Sequence, residues 1–145
     1  HKFIEATMSV ELPDGYEPSE EEEFMNDLQL EYFRRKLVDW KKSILDDSKE
    51  TLSHLQEDSL KEPDIADRAS AETDWSVELR TRDRQRKLIT KIDAAIKRIE
   101  NKEYGYCEVS GEPISLRRLQ ARPIATMTIE SQEKHENYEK VHRDN

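Results

Sequence analysis

The chain has 145 residues, of which 34% are hydrophobic and 39% charged, and a formal net charge of -9. That length suits one compact domain or a small knob with an extended arm, but so charged a composition does not supply a thick globular interior. The acidity argues against duplex DNA as the main partner, three glycines argue against a strand-rich fold, and a single cysteine excludes an internal disulfide and suits a reducing compartment.

Residues 1–18 mix apolar and polar side chains without a period and contain Pro13, Gly15 and Pro18, so they read as an irregular lead-in. Ser19 followed by Glu20, Glu21 and Glu22 has the S-x-x-E spacing of a capping box, with acidic residues suited to the positive end of a helix dipole. A helix is therefore expected from Ser19, with residues 19–32 forming the N-terminal helix of the globular part. No Pro or Gly interrupts the chain from there to Lys61.

Phe33, Leu37, Trp40 and Ile44 are spaced 4, 3 and 4, a heptad rhythm, and the seam continues less apolar through Leu45, Leu52 and Leu55. Glu62-Pro63-Asp64 breaks the pattern, because proline disfavours helical geometry in the residue before it. A second helix is predicted from about Asp67 to Glu103, with Trp75, Leu79, Arg82, Arg86, Ile89, Ile92, Ile96 and Ile99 as its seam. Neither helix buries its stripe alone, so residues 33–103 are expected to close into an antiparallel coiled-coil hairpin with its tip near 62–69. About 35 residues at ~1.5 Å rise make an arm of roughly 50 Å. Arg82 and Arg86 lie toward the tip opposite acidic stretches such as Asp46-Asp47, which predicts ion pairs there.

Gly105 suits a left-handed cap at the end of the second helix. Residues 104–127, with Gly111, Pro113 and Pro123, read as an irregular knob, and 128–145 as a C-terminal region whose helix runs from about Ile129 to Val141. The fold class is all-α. No stretch approaches the ~20 apolar residues of a membrane span and no basic-then-apolar leader opens the chain, which predicts a cytoplasmic protein. Residues 14–62 carry 15 acidic and 7 basic side chains, and residues 78–122 carry 12 basic and 7 acidic. Two oppositely charged regions point to a protein or nucleotide partner.

Asp64 and Asp67, three apart after the turn, project from one side of the first helical turn, where they could cap the helix or meet a partner or a cation. The basic run Arg80, Arg82, Arg84, Arg86, Lys87 and Lys91 cannot share one face, since alternate helical residues lie about 200° apart. His135 and His142 are seven apart, too far for a metal-binding i, i+4 pair, and Cys107 reads as a small packed side chain. Nothing gathers a nucleophile, a base and oxyanion donors, so an enzyme is not expected.

Four segments carry a family resemblance. They are Asp64-Ile65-Ala66-Asp67-Arg68-Ala69, Glu78-Leu79-Arg80-Thr81-Arg82-Asp83-Arg84, Gly105-Tyr106-Cys107-Glu108, and Arg117-Arg118-Leu119-Gln120-Ala121-Arg122-Pro123. In this order and spacing they resemble the DksA family of bacterial RNA polymerase-binding transcription factors, over roughly residues 24–140. The resemblance implies a hairpin that enters the polymerase secondary channel, and a tip in which Asp64, Asp67 and Ala69 act on transcription rather than docking. It further implies polymerase contacts at Arg84 and Leu88, and a guanosine tetraphosphate site shared with the polymerase through Lys91 and Arg122. Its biological setting is the stringent response, with ribosomal promoters repressed and some biosynthetic ones activated. A lysine that some members bring to the nucleotide aligns with Gln132, which Lys134 is placed to replace.

The family's usual knob is a zinc finger with C-x2-C, 17 residues and C-x2-C, and here the four positions read Cys107, Ser110, Thr128 and Ser131. Ser and Thr hydroxyls do not ionise readily enough to replace thiolates, so zinc is not expected and the knob is zinc-finger-like without its metal. Packing by Tyr106, Ile114, Leu116, Leu119 and Ile124 should hold it. Two other readings fit a helical hairpin: a transcript-cleavage factor, whose second domain is strand-rich, and a coiled-coil adaptor or oligomerisation module. A hairpin that closes on itself predicts a monomer.

Overall fold

The computed structural model describes residues 10–60 and 65–143, excepting the side chains of 51–60, 65–72 and 143. The described residues form four α-helices, α1 (Asp27–Leu60), α2 (Ile65–Glu100), α3 (Leu116–Ala121) and α4 (Ile129–Arg143), and no strand beyond an isolated bridge between Tyr106 and Pro113. Two compact units divide the chain: Val38–Asp93, and His1–Leu37 with Ala94–Asn145.

Within Val38–Asp93 the helices run antiparallel. Lys41 Nζ reaches Asp93 Oδ1 at 2.7 Å and Ser48 Oγ donates to Gln85 Oε1 at 2.8 Å, so advancing along α1 means retreating along α2. Ile44 and Ile92 are buried and Trp40 and Trp75 half-buried. The expected seam needs correction at two positions of α2. Leu79 is 51% exposed and the Arg86 side chain 79%. A strict 3-4 alternation from Trp75 instead passes through Glu78, Arg82, Gln85, Ile89 and Ile92, all half-buried or buried, so helical phase outweighs the hydrophobicity of Leu79. Arg86 and Lys87 pair with Asp83 on their own helix, so Arg86 does not serve as the predicted partner of Asp46-Asp47.

In the other unit α1 continues the same seam through Leu30, Phe33 and Leu37, and α2 contributes Ala95 and Ile99, all buried. Helix α1 begins at Asp27, not Ser19. The Ser19 capping box does form: Glu21 N–H donates to Ser19 Oγ at 3.1 Å and Ser19 N–H to Glu22 Oε1 at 2.9 Å. It closes one turn only, because Met25 adopts a left-handed φ of 53° and a second cap takes over, in which Gln29 N–H donates to Asn26 Oδ1 at 2.9 Å.

Helix α2 ends by a different residue from the one the sequence suggests. Lys102 has φ 59°, its N–H donates to Ile99 O at 3.0 Å, and Glu103 N–H donates to Arg98 O at 2.8 Å. This is a Schellman cap with Lys102 in the left-handed position. Gly105, at φ 93°, serves another purpose: a Cβ there would stand 2.8 Å from Met25 Cγ. Gly105→Ala should therefore cost roughly 1–3 kcal/mol, through unfavourable φ and displacement of Met25, read as a lower thermal midpoint by circular dichroism.

Candidate functional site

The hairpin tip is reached only in part. Asp64 lies outside the described residues, and Asp67 and Ala69 lie in the first turns of α2, where the backbone is helical. Further along α2, Arg84 is exposed, with its Nη2 donating to Thr81 Oγ1 at 3.3 Å, and Leu88 is half-buried. Lys91 is exposed in the same unit. An open groove of about 470 Å³ lies beside them between the two helices, lined by Leu45, Ser48, Leu79, Arg82 and Ile89 among others.

Arg122 belongs to the other unit, at the C-terminus of α3, where its N–H donates to Arg118 O at 2.7 Å and its side chain is exposed. Gln132 is half-buried and donates to Glu136 Oε1 at 2.9 Å, while Lys134 is exposed.

The knob is built around Tyr104. Its ring is fully buried 5.5 Å from that of Phe33, and its hydroxyl donates to Pro123 O at 2.7 Å. Burial pushes its pKa well above the ordinary tyrosine value, with the charge of Arg98 opposing. Ile114, Leu116, Leu119 and Ile124 are buried as expected, but Tyr106 is 41% exposed and packs edge-on against Phe24. The residue that fills the knob is thus Tyr104. The two differ because the chain passes through Gly105, which turns successive side chains to different sides.

Cys107, Ser110, Thr128 and Ser131 converge. The Cys107 side chain is buried, and its Sγ accepts from Ser110 N–H at 3.5 Å. Burial alone would raise the thiol pKa, but the Ser110 and Ser131 hydroxyls and the Ser110 and Thr128 backbone N–H groups outweigh it and lower the value to about 6. The second turn repeats the geometry of the first, with Ser131 N–H donating to Thr128 Oγ1 at 3.2 Å as α4 begins. One thiolate and three neutral hydroxyls do not fit a tetrahedral zinc, which takes thiolate, imidazole or carboxylate donors. Among the described residues no group of three His, Cys, Asp or Glu side chains is placed to hold a metal ion. No helix there is long and apolar enough to cross a membrane.

Sequence reasoning missed a polar network beside the knob. Gln29 is fully buried, its Oε1 accepts from Met25 N–H at 2.8 Å, and its Nε2 donates to Ser19 O at 3.1 Å. The Asn26-x-x-Gln29 spacing carried that signal but was overshadowed by the acidic run before it. Tyr16 closes the network by donating to the Glu22 carboxylate at 2.9 Å, and burial and this bond push its pKa up to about 12.

Comparison with known proteins places these features. Residues 29–99 match the family model of the DnaK suppressor protein DksA N-terminal domain, and residues 102–137 that of the prokaryotic dksA/traR C4-type zinc finger. The chain is 63% identical over 139 residues to the RNA polymerase-binding transcription factor DksA of Caulobacter vibrioides, covering 96% of this chain and 97% of that protein. It is 43% identical over 128 residues to the Escherichia coli factor of the same name, with 86% and 85% covered. Among solved structures, transcription factor DksA2 from Pseudomonas aeruginosa superposes with a TM-score of 0.75 at 34% identity, over 81% of this chain and 90% of that one. With both family models matched in order and near-complete coverage of its relatives, the chain belongs to the DksA family, whose members are transcription factors and not enzymes.

Proposed function

We propose that this chain is an RNA polymerase-binding transcription factor that acts in the cytoplasm as a monomer, entering the polymerase secondary channel with its hairpin. The observation that carries this reading is the 63% identity to the Caulobacter factor over 139 residues, which spans hairpin and knob together. In it, Asp64, Asp67 and Ala69 act on the promoter complex from the tip, and Arg84 and Leu88 hold the polymerase. Lys91 and Arg122 complete a guanosine tetraphosphate site with the polymerase surface. Exposed side chains at Arg84, Lys91 and Arg122 support these roles, since each cation is free of burial and available to a partner. Arginine suits a pyrophosphate through its planar fork and lysine as a point charge.

The test is single-round transcription by bacterial RNA polymerase from a ribosomal-type promoter, with and without guanosine tetraphosphate. The parent protein represses, more strongly with the nucleotide. Asp67→Asn loses at least about nine-tenths of that effect, roughly the loss of one charge-assisted contact worth 1.5–3 kcal/mol, while still binding polymerase. Absence of both binding and repression in the parent would sink the reading. A stable dimer in light scattering would instead favour an adaptor.

A further inference from the structure

Helix α3 is held from outside. It has six residues, too few for its own backbone bonds to sustain it, and its last carbonyls lack partners within it. Arg118 O is taken by the Arg122 N–H at 2.7 Å. Gln120 O is taken by Lys36 Nζ, which reaches over from α1 at 3.1 Å and also donates to Gln120 Oε1 at 2.8 Å. The Tyr32 hydroxyl donates to that same Oε1 at 3.0 Å, and the Lys36 ammonium stands 5.8 Å from the centre of the Tyr32 ring. Just beyond Arg122, Pro123 O accepts from the buried Tyr104 hydroxyl at 2.7 Å. Tyr32, Lys36 and Gln120 are all half-buried, whereas the Arg122 side chain is exposed.

We propose that Lys36 and Gln120 are positioning residues for Arg122, and that their bridge sets how sensitively the chain responds to guanosine tetraphosphate. This deepens the nucleotide site proposed above and rests on that reading. Arg122 lies between two anchors, Gln120 held by Lys36 and Pro123 held by Tyr104. Its backbone is extended, with φ -141° and ψ 85°, so the base of the side chain is fixed while the guanidinium stays exposed. A cation whose base is fixed before the pyrophosphate arrives loses less conformational freedom on binding it, and the difference appears as affinity. A charged donor suits such a task, since charge-assisted hydrogen bonds are about twice as strong as neutral ones. Because Lys36 and Tyr32 share Gln120 Oε1, the Gln120 side chain is fixed as well as its carbonyl. The plainer alternative, a cross-link that only fastens α3 to α1, predicts a loss of stability with no change in nucleotide sensitivity.

The test titrates guanosine tetraphosphate in single-round transcription from a ribosomal-type promoter, with bacterial RNA polymerase and the full chain or its variants. Lys36→Met keeps the aliphatic stem and removes the donor. It should raise the nucleotide concentration for half-maximal effect roughly three- to tenfold, the range expected when one long side chain loses its pre-set position. Repression without nucleotide and binding to polymerase should stay as in the parent. Lys36→Arg, which retains a charged head with several donors, should recover most of the parent's sensitivity. A half-maximal concentration in Lys36→Met equal to the parent's overturns the proposal and leaves α3 with a structural cross-link only. Amide exchange supplies a readout that needs no polymerase. Lys36→Met should speed exchange of the Arg122 N–H, and unchanged exchange would mean that the bridge does not hold the chain there. Should Lys36→Met not fold, Gln120→Ala, which removes only the shared side-chain acceptor, should move the half-maximal concentration in the same direction, and no movement overturns the proposal. A parent that represses transcription yet ignores the nucleotide refutes the nucleotide site itself and the bridge's role with it, so the parent's own titration tells the two failures apart.

Discussion

Phe33→Ala should destabilise the chain by about 3–5 kcal/mol, one of the largest single losses expected from a core position here. Phe33 is fully buried, its ring 5.5 Å from that of Tyr104 and 5.2 Å edge-on from that of Tyr32. It is the point where α1 meets the residue around which the knob is built. Truncation removes the transfer free energy of a whole ring and leaves a void that Leu30, Leu37 and Ile99, themselves on helices, can fill only by shifting backbone. Losses of this size approach half the total stability of an ordinary small domain, so the urea midpoint should fall far. Amide exchange separates the local effect from the global one. Protection should collapse around residues 30–37 and 95–104, whereas the Ile44 and Ile92 region, which belongs to the other unit, should change less. Phe33→Leu keeps most of the volume and should cost less than half as much. Equal losses from Leu and Ala would show that the ring contributes through aromatic contact with Tyr104 rather than through the space it fills.

The hairpin was legible because its seam is periodic. Phe33, Leu37, Trp40 and Ile44 announce α1, and the structure adds Leu30 in phase with them. Errors arose where a local signal competed with tertiary geometry. Ser19 and Glu22 form the capping box that their spacing promises, yet Met25 then turns left-handed so that Phe24 can reach Tyr106 and Met25 can reach Gly105. Nothing local to residues 19–25 encodes those contacts. Leu79 is apolar but out of phase with the seam, and the left-handed cap of α2 falls on Lys102 rather than on the nearby Gly105, at a cost of ~1 kcal/mol for a left-handed non-glycine residue. The roles of Asp67, Arg84, Lys91 and Arg122 rest on family motifs, because a site completed by a partner surface leaves little mark on the free chain. The surroundings of Cys107 were only half legible. The Ser and Thr positions stand in the sequence, but the bond that Sγ accepts comes from a backbone N–H, that of Ser110 at 3.5 Å, which no residue type announces.

Stability should also fall as the pH is lowered from 9 through 6, and the change should depend on Cys107. The thiol has its ordinary value of 9.0 in the unfolded chain and about 6 in the folded one. Between those values the unfolded state holds a proton that the folded state has released, so stability rises with pH across the window. The thiolate's contribution is fully present above the unfolded value and is lost as the pH falls through the folded one. Burial works against this, and the four donors around the sulfur must overcome it, which is why removing one donor should narrow the window from below. Ser131→Ala should therefore move the folded-state thiol upward and shift the lower end of the pH dependence toward 9, whereas Cys107→Ala should flatten the profile between 6 and 9. The Glu22 carboxylate, held below its ordinary range chiefly by Ser19 N–H, titrates in a more acidic range and does not mimic the effect. Urea midpoints at half-unit pH intervals, with thiolate absorbance followed in parallel, distinguish the outcomes. A parent profile as flat as that of Cys107→Ala, with no thiolate appearing below pH 8, would mean that the buried sulfur is a neutral thiol.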